Sequence, residues 1–202
     1  MIQSAIHGFI LALGLILPLG VQNVFIFNQG VLQRPVVRAM PAVLTASLCD
    51  TLLIVLAVTG VSLLVLNVIW FKYILLVGGT LFLVYMGWAT WNSTPQAEGG
   101  GQQTFTARKQ MMFAMSVSLL NPHAILDTIG VIGTSSLQYI GSEKWVFTVS
   151  CILVSWLWFI SLAMAGRLIG TVDKSGKLLK WLSKVSAIVM WGAAIYLITS
   201  LV

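Results

Sequence analysis

The sequence has very few charged residues. Of its 202 residues only 8% carry charge, and just five are acidic. A soluble domain carries about a quarter charged residues, so this chain lacks the polar surface that a water-soluble fold needs. Apolar residues make up 58% of the chain and the mean hydropathy is +0.98. We therefore predict an all-α integral membrane protein without a soluble domain.

Ligand sets for metals and cofactors are also missing. Cys49 and Cys151 both lie inside apolar runs, where cysteine usually acts as a small hydrophobe, and neither neighbours His7 or His123. No Gly-x-x-x-x-Gly-Lys loop for ATP occurs. The net charge of +6 is spread over short loops between apolar runs, which is typical of membrane topology and not of a nucleic-acid interface. We expect no cofactor, no metal and no nucleic-acid partner.

The apolar segments are long enough for around six membrane-spanning helices in one transmembrane domain, 1–202. Residues 93–109 form the one flexible, polar stretch, and we interpret it as a linker between two halves, 1–92 and 110–202. The predicted segments are about 6–27, 42–66, 73–91, 110–133, 145–166 and 185–202.

Basic residues mark one side of this topology. With six spans, the first, third and fifth connections share a side that carries most of the lysine and arginine, so we expect this side in the cytoplasm and both termini outside. Three spans per half force the halves into opposite orientations, which predicts two inverted three-helix repeats. The basic residues of that side are Arg34, Arg38, Arg108, Lys109, Arg167, Lys174, Lys177, Lys180 and Lys184.

Prolines interrupt the first and fourth predicted spans. Each proline removes a backbone hydrogen bond from its helix, and the carbonyl it frees is tolerated only where protein or a wet cavity satisfies it. Asn23 and Asp127 follow Pro18 and Pro122 by five residues each. A plain proline kink is the alternative for either site alone. The pair favours two broken helices at corresponding spans, with Gly20 beside the first break.

Two of the five acidic residues, Asp50 and Asp127, fall inside predicted spans. An ionised carboxylate near the bilayer centre costs about 2.5–3.5 kcal/mol on insertion scales, so it persists only when it faces a cavity, is paired or is protonated. Either residue is a counter-ion for a cationic substrate, a proton carrier, or a structural carboxyl bonded between helices. His123 titrates with pH or bonds a backbone carbonyl. For Trp156, Trp158 and Phe159 we favour packing over a cavity wall.

At these residues the sequence resembles the lysine/arginine exporter family of bacterial inner-membrane amino-acid exporters. The resemblance covers nearly the whole chain, and Val21 departs from it, because close relatives often have proline there. The matching motifs are Leu17-Pro18-Leu19-Gly20, Gln22-Asn23, Asn28-Gln29-Gly30, Cys49-Asp50, Leu120-Asn121-Pro122-His123, Leu126-Asp127-Thr128, Trp158-Phe159 and Met190-Trp191.

The resemblance implies an exporter of basic amino acids in the bacterial inner membrane, driven by the proton gradient. Its expected partners are an amino-acid substrate, protons and membrane lipid. The oligomeric state stays open, a homodimer included. The residues it implies for substrate binding or coupling are Asp50, Asp127, Gln22, Asn23, Asn121 and His123, with Pro18, Gly20 and Pro122 at the helix breaks.

Alternative functions remain open from the sequence. Neighbouring subfamilies export neutral amino acids or cadmium, and Cys49 beside Asp50 is the one feature that favours a soft metal ion. An intramembrane aspartyl protease also needs two membrane aspartates, but its Tyr-Asp and Gly-x-Gly-Asp contexts are absent here. A structural or lipid-binding scaffold would not need two buried carboxylates.

Overall fold

The computed structural model describes residues 1–17, 20–60, 105–120 and 122–172, with single positions between 77 and 92 and between 181 and 195. Of Pro122, His123, Leu126 and Val172 it describes the backbone alone. Every regular element among the described residues is helical, which confirms the predicted all-α class.

The helices follow the predicted apolar segments. A 3-10 turn, Val36–Ala39, leads into the third helix, and a π-helical segment, Thr128–Gly133, follows the fifth. The α-helices are α1 (Ile2–Ile16), α2 (Val21–Leu32), α3 (Met40–Val58), α4 (Ala107–Leu119), α5 (Pro122–Asp127), α6 (Thr134–Ser136) and α7 (Ser142–Val172).

Two described helices are long and apolar enough to cross a membrane. They are Val36–Val58, of 23 residues, and Ser142–Thr171, of 30 residues, and they correspond to the second and fifth predicted spans. The pair α1 and α2 passes the same test only when the two helices are taken together, and it is bent by 80° between them. Arg167 lies within α7 and not in a connection as predicted, because α7 continues to Val172.

The fourth predicted span is also divided. Helix α4 ends at Leu119, and α5 begins at Pro122. A proline is well suited to the first turn of a helix, because the amide hydrogen that it lacks has no intrahelical acceptor there. The described helices thus end and begin on either side of both predicted breaks, with α1 ending at Ile16, α2 beginning at Val21, α4 ending at Leu119 and α5 beginning at Pro122. Pro18 and Asn121 themselves lie outside the described residues.

Large apolar side chains lie on the outside of the described helices. Leu44, Leu48 and Leu52 form an exposed stripe along α3, while the polar Ser47 on the same helix is buried. Large apolar side chains also point outward from α1 and α7. The buried residues are mostly apolar as well, with some polar side chains among them. An apolar exterior is expected for a membrane-spanning bundle in contact with hydrocarbon.

The described helices form two sets that run in opposite directions. The amino group of Met1 pairs with Glu143 at 2.7 Å, and Arg34 Nη2 donates to the Gly170 carbonyl at 3.4 Å, so α1 and α2 run in the same direction as α7. We call the end with Arg34 the basic end and the end with Glu143 the opposite end. Helix α3 runs against α7, since Ala46 clusters with Phe159 and Ile54 clusters with Cys151.

This arrangement agrees with the predicted topology. Gln110, near the start of α4, donates to the Arg38 carbonyl before α3 at 2.9 Å, so α3 and α4 both begin at the basic end. The third and sixth predicted spans lie mostly outside the described residues. Among the positions described there, the Trp191 indole donates to the Val84 carbonyl at 3.3 Å, which brings those two segments together. Six spans and the inverted repeats stay predictions.

Glycines allow α2 and α7 to pack closely. A Cβ added at Gly30 would overlap the Ala163 carbonyl, and one added at Gly166 would overlap the Phe27 carbonyl. On α1, a Cβ added at Gly8 would lie 2.6 Å from the Phe147 carbonyl oxygen. Small residues that let backbones approach closely are the usual means of helix association in membranes. These contacts hold both parts of the bent pair against α7.

Buried glutamines join the two halves at the basic end. Gln110 is 1% exposed, and its Nε2 donates to the carbonyls of Arg38 at 2.9 Å and Phe105 at 3.0 Å. Gln33 Nε2 donates to the same Phe105 carbonyl at 3.0 Å. These bonds give the carbonyls of Arg38 and Phe105 side-chain donors and hold the segments before α3 and α4 together.

We expect Gln110→Leu to destabilise the protein by about 1–3 kcal/mol, because it leaves the Arg38 carbonyl without this buried donor. Thermal unfolding of the purified full chain in detergent measures the change. Gln138→Leu, at an exposed position, is the matched control and should leave the unfolding temperature unchanged. Equal unfolding temperatures for Gln110→Leu and the unmodified protein would contradict this role for Gln110.

Candidate functional site

Asp50 lies midway along α3. It is about 15 Å along the helix axis from Met40, the first residue of α3. That distance is half of a hydrocarbon core of roughly 30 Å. Its side chain is partly buried and faces α2 and α7. Asp50 therefore lies near the middle of a helix that is long enough to cross a membrane; its depth in the bilayer stays a prediction.

Both oxygens of Asp50 accept a hydrogen bond, each from a different helix. Gln22 Nε2 on α2 donates to Oδ1 at 3.1 Å, and Ser155 Oγ on α7 donates to Oδ2 at 2.9 Å. Both of these donors are neutral, one an amide and the other a hydroxyl. Neither therefore supplies the positive charge that a buried carboxylate needs for compensation.

The break between α1 and α2 sets the position of Gln22. Gly20 is extended, with φ −79° and ψ 174°, and α2 begins at Val21. Gln22 and Asn23 thus occupy the first turn of α2, where backbone amides have no intrahelical acceptor and the helix dipole is positive. The break therefore lets α2 begin where the side-chain amide of Gln22 reaches the Asp50 carboxyl group.

Asn23 connects the two sides of the break to α7. Its Nδ2 donates to the Ile16 carbonyl at 2.6 Å, at the end of α1, where the last carbonyls of a helix lack intrahelical donors. Its Oδ1 accepts from the Trp158 indole at 3.2 Å. Asn23 therefore joins the end of α1 to α7, and its role in substrate binding stays a prediction.

The aromatic pair on α7 also takes part in polar contacts. The Trp156 indole donates to Thr51 Oγ1 at 3.0 Å, and Thr51 in turn donates to the Ser47 carbonyl at 2.7 Å. Together with the bond from Trp158 to Asn23, this contact fixes α7 against α3 and α2 just after Ser155. Packing alone, the interpretation that the sequence favours for the two tryptophans, is therefore incomplete.

Asp127, the second predicted carboxyl group, lies at the end of α5 and is partly buried. The hydrogen bonds described for Asp50 go to Gln22 and Ser155, and not to Asp127. The neighbouring Ile125 and Ile129 pack against Ala57 on α3. Asn121 lies outside the described residues, as do the side chains of His123 and Pro122, so their predicted roles stay predictions.

The π-helical segment after Asp127 is a feature that the sequence did not reveal. Thr128–Gly133 packs against α3, where a Cβ at Gly133 would be 3.2 Å from the Ala57 carbonyl oxygen. Such segments are rare and often lie at functional sites. The sequence also gives no indication that Ser155 and Thr51 belong to this site, because a single hydroxyl residue in an apolar segment is not a recognisable motif.

Comparison with known proteins identifies the family. The family model described as "LysE type translocator" matches residues 13–201. The chain belongs to this family. The membership confirms the resemblance that the proline and aspartate motifs indicated, and it places the chain among transporters and not among enzymes. The spans described above fit the membrane setting of this translocator family.

Relatives match the LysE-type chain over nearly its whole length. A protein of Bacillus subtilis (strain 168) named "Putative amino-acid transporter YisU" is 62% identical over 199 residues, covering 98% of this chain and 90% of that one. The "Arginine exporter protein ArgO" of Serratia proteamaculans (strain 568) is 30% identical over 204 residues, covering 98% and 97%. No solved structure matches the chain.

Proposed function

We propose that this LysE-type protein is a secondary active exporter of basic amino acids, arginine and lysine. The observation that carries the proposal is the Asp50 carboxyl group, which lies midway along the membrane-length helix α3 with neutral described donors from Gln22 and Ser155. A buried carboxylate without a cationic partner costs several kcal/mol. A guanidinium or ammonium group of the substrate supplies the missing charge.

The broken helix supports an amino-acid substrate. An amino acid also carries a carboxylate, and the first turn of α2, the positive end of a helix dipole, lies beside Asp50, since Gln22 in that turn bonds Asp50. Carboxylate recognition by half-helix amides is a recurring arrangement in transporters with discontinuous helices. The side-chain cation of arginine or lysine would thus lie near the Asp50 carboxylate, and its carboxylate would lie near the positive end of α2.

We propose the proton gradient as the energy source. Asp50 would release its substrate when it takes up a proton from outside and would rebind substrate after losing that proton to the cytoplasm. Alternating access of the two inverted halves would expose it to each side in turn. Asp127, with Asn121 and His123 near it in sequence, is the second site proposed for binding or coupling.

We propose that the basic end faces the cytoplasm and that both termini face outward. The positive-inside rule supports this orientation, since exposed Arg34, Arg38, Arg108 and Lys109 gather at the basic end. The positive-inside rule holds for proteins of the bacterial inner membrane, which is the proposed location.

The relatives support arginine as a substrate. The protein from Serratia that is 30% identical to this chain is named an arginine exporter.

Export from bacterial cells that lack their own basic amino-acid exporters tests the function. The cells are preloaded with dipeptides containing arginine, lysine or leucine, and the external amino acids are followed over time. Faster efflux of arginine and lysine, abolished by an uncoupler, is expected. Efflux of leucine alone would instead support export of neutral amino acids, and failure to move any amino acid despite membrane insertion would direct attention to inorganic cations.

A further inference from the structure

Ser155 differs in its bonding from other hydroxyl residues of α7. Thr148, Ser150 and Thr171 each donate to a carbonyl three or four residues earlier in their own helix. That is the usual behaviour of serine and threonine in helices. Ser155 is 3% exposed and donates to Asp50 Oδ2 at 2.9 Å, across to another helix. The Ser155 hydroxyl therefore donates to a carboxyl group on α3 and not to a carbonyl of its own helix.

The two donors to Asp50 fix the plane of its carboxyl group. Gln22 holds Oδ1 and Ser155 holds Oδ2, from helices on either side. Because an ionised carboxylate has about four acceptor directions, two on each oxygen, each oxygen keeps one direction beyond its described donor. One acceptor on each oxygen matches the two N–H groups that a guanidinium presents to a carboxylate, whereas an ammonium is a rotatable point charge that needs only one oxygen.

The position of Ser155 itself is fixed by its neighbours. The Trp156 indole is bonded to Thr51 on α3 at 3.0 Å, and the Trp158 indole is bonded to Asn23 on α2 at 3.2 Å. These bonds hold the same stretch of α7 against the two helices that supply Gln22 and Asp50. A hydroxyl on so constrained a backbone is suited to orienting its acceptor.

We propose that Ser155 is a positioning residue that orients the Asp50 carboxylate for bidentate binding of a guanidinium, and so favours arginine over lysine. The proposal rests on the proposed function for its substrate. The orientation of Asp50 by Ser155 can be measured without any transport.

Transport kinetics of the purified full chain in liposomes test the substrate preference. In Ser155→Ala we expect the KM for arginine to rise about tenfold, which corresponds to about 1.4 kcal/mol. The KM for lysine should rise about threefold or less, because an ammonium does not need both oxygens. Ser155→Thr, which keeps the hydroxyl, should restore the arginine KM. Ser155→Cys, a weaker donor of similar size, should give an intermediate value.

Ser150→Ala is the matched control, because it removes an α7 hydroxyl that bonds its own helix at the Val146 carbonyl. It should leave both KM values unchanged. A purely structural Ser155 would lower the amount of folded protein and leave the KM values alone. An unchanged arginine KM in folded Ser155→Ala and Ser155→Cys would overturn the proposal, as would equal increases for arginine and lysine.

Infrared spectroscopy separates this proposal from the proposed function. The band of the Asp50 side chain is identified as the one lost in Asp50→Asn. The frequency of this band should shift in Ser155→Ala. It should equal that of the unmodified protein in Ser155→Thr and in Ser150→Ala. If the protein transports neither arginine nor lysine, the proposed function fails, and this band alone decides whether Ser155 orients Asp50. An unshifted band in Ser155→Ala would overturn that role in either case.

Discussion

Asp50→Asn should reduce export of arginine and lysine by about a hundredfold or more while the protein still inserts and folds. Asparagine has nearly the same shape, and its amide oxygen still accepts from Gln22. What it lacks is the negative charge for the substrate cation and a group that can exchange a proton. Loss of one member of a buried charge pair costs about 2–5 kcal/mol, which covers a hundredfold change.

Efflux from preloaded cells measures the effect, with the amount of membrane-inserted protein determined in parallel. Glu143→Gln is the matched control, since it removes a carboxylate that pairs with the Met1 amino group at the exposed opposite end. An exposed pair of this kind contributes about 1 kcal/mol or less, so we expect efflux close to that of the unmodified protein. Efflux by Asp50→Asn equal to that of the control would remove Asp50 from the transport site.

Gly30→Ala should strongly destabilise the protein, although it adds only one methyl group. The added Cβ would overlap the Ala163 carbonyl on α7, which is backbone and cannot rotate away. Overpacking at such a contact costs about 1–3 kcal/mol or more. Separation of α2 from α7 would also move Asn23 away from Trp158. We expect several-fold less folded protein after detergent extraction, together with a lower unfolding temperature.

The comparison for Gly30 is Gly14→Ala on α1. Apart from its own helix backbone and chain neighbours, no described atom lies within 4 Å of a Cβ built at Gly14, and glycine in a helix interior is less stable than alanine by about 0.5–1 kcal/mol. Gly14→Ala should therefore keep or raise the unfolding temperature. Gly166→Ala, which meets the Phe27 carbonyl from the other helix, should resemble Gly30→Ala. A Gly30→Ala protein as stable as Gly14→Ala would disprove the close packing of α2 on α7.

The sequence predicted the features that depend on local chemistry. Proline interrupts a helix by removing a donor and by steric overlap, so the intervals around Pro18 and Pro122 could be predicted without any knowledge of packing. A carboxyl group in an apolar segment stands out in the same way, and the depth of Asp50 followed from its distance to the start of the span.

The features that depend on packing between helices could not be predicted. The bond from Gln22 to Asp50 and that from Ser155 to Asp50 join residues far apart in the chain, and each requires the relative rotation of two helices. Ser155 has nothing in its sequence context to distinguish it from Ser150. The glycine in Asn28-Gln29-Gly30 matched a family motif, but only the approach of Ala163 explains why glycine is needed there.

The most direct test of export through Asp50 is flux of labelled amino acids in liposomes that contain the purified protein and an imposed pH gradient. Arginine and lysine should accumulate against their concentration gradients only while the pH gradient lasts, leucine should not accumulate, and Asp50→Asn should abolish accumulation. Accumulation of leucine without arginine, or arginine flux that is indifferent to both the pH gradient and Asp50, would contradict the account.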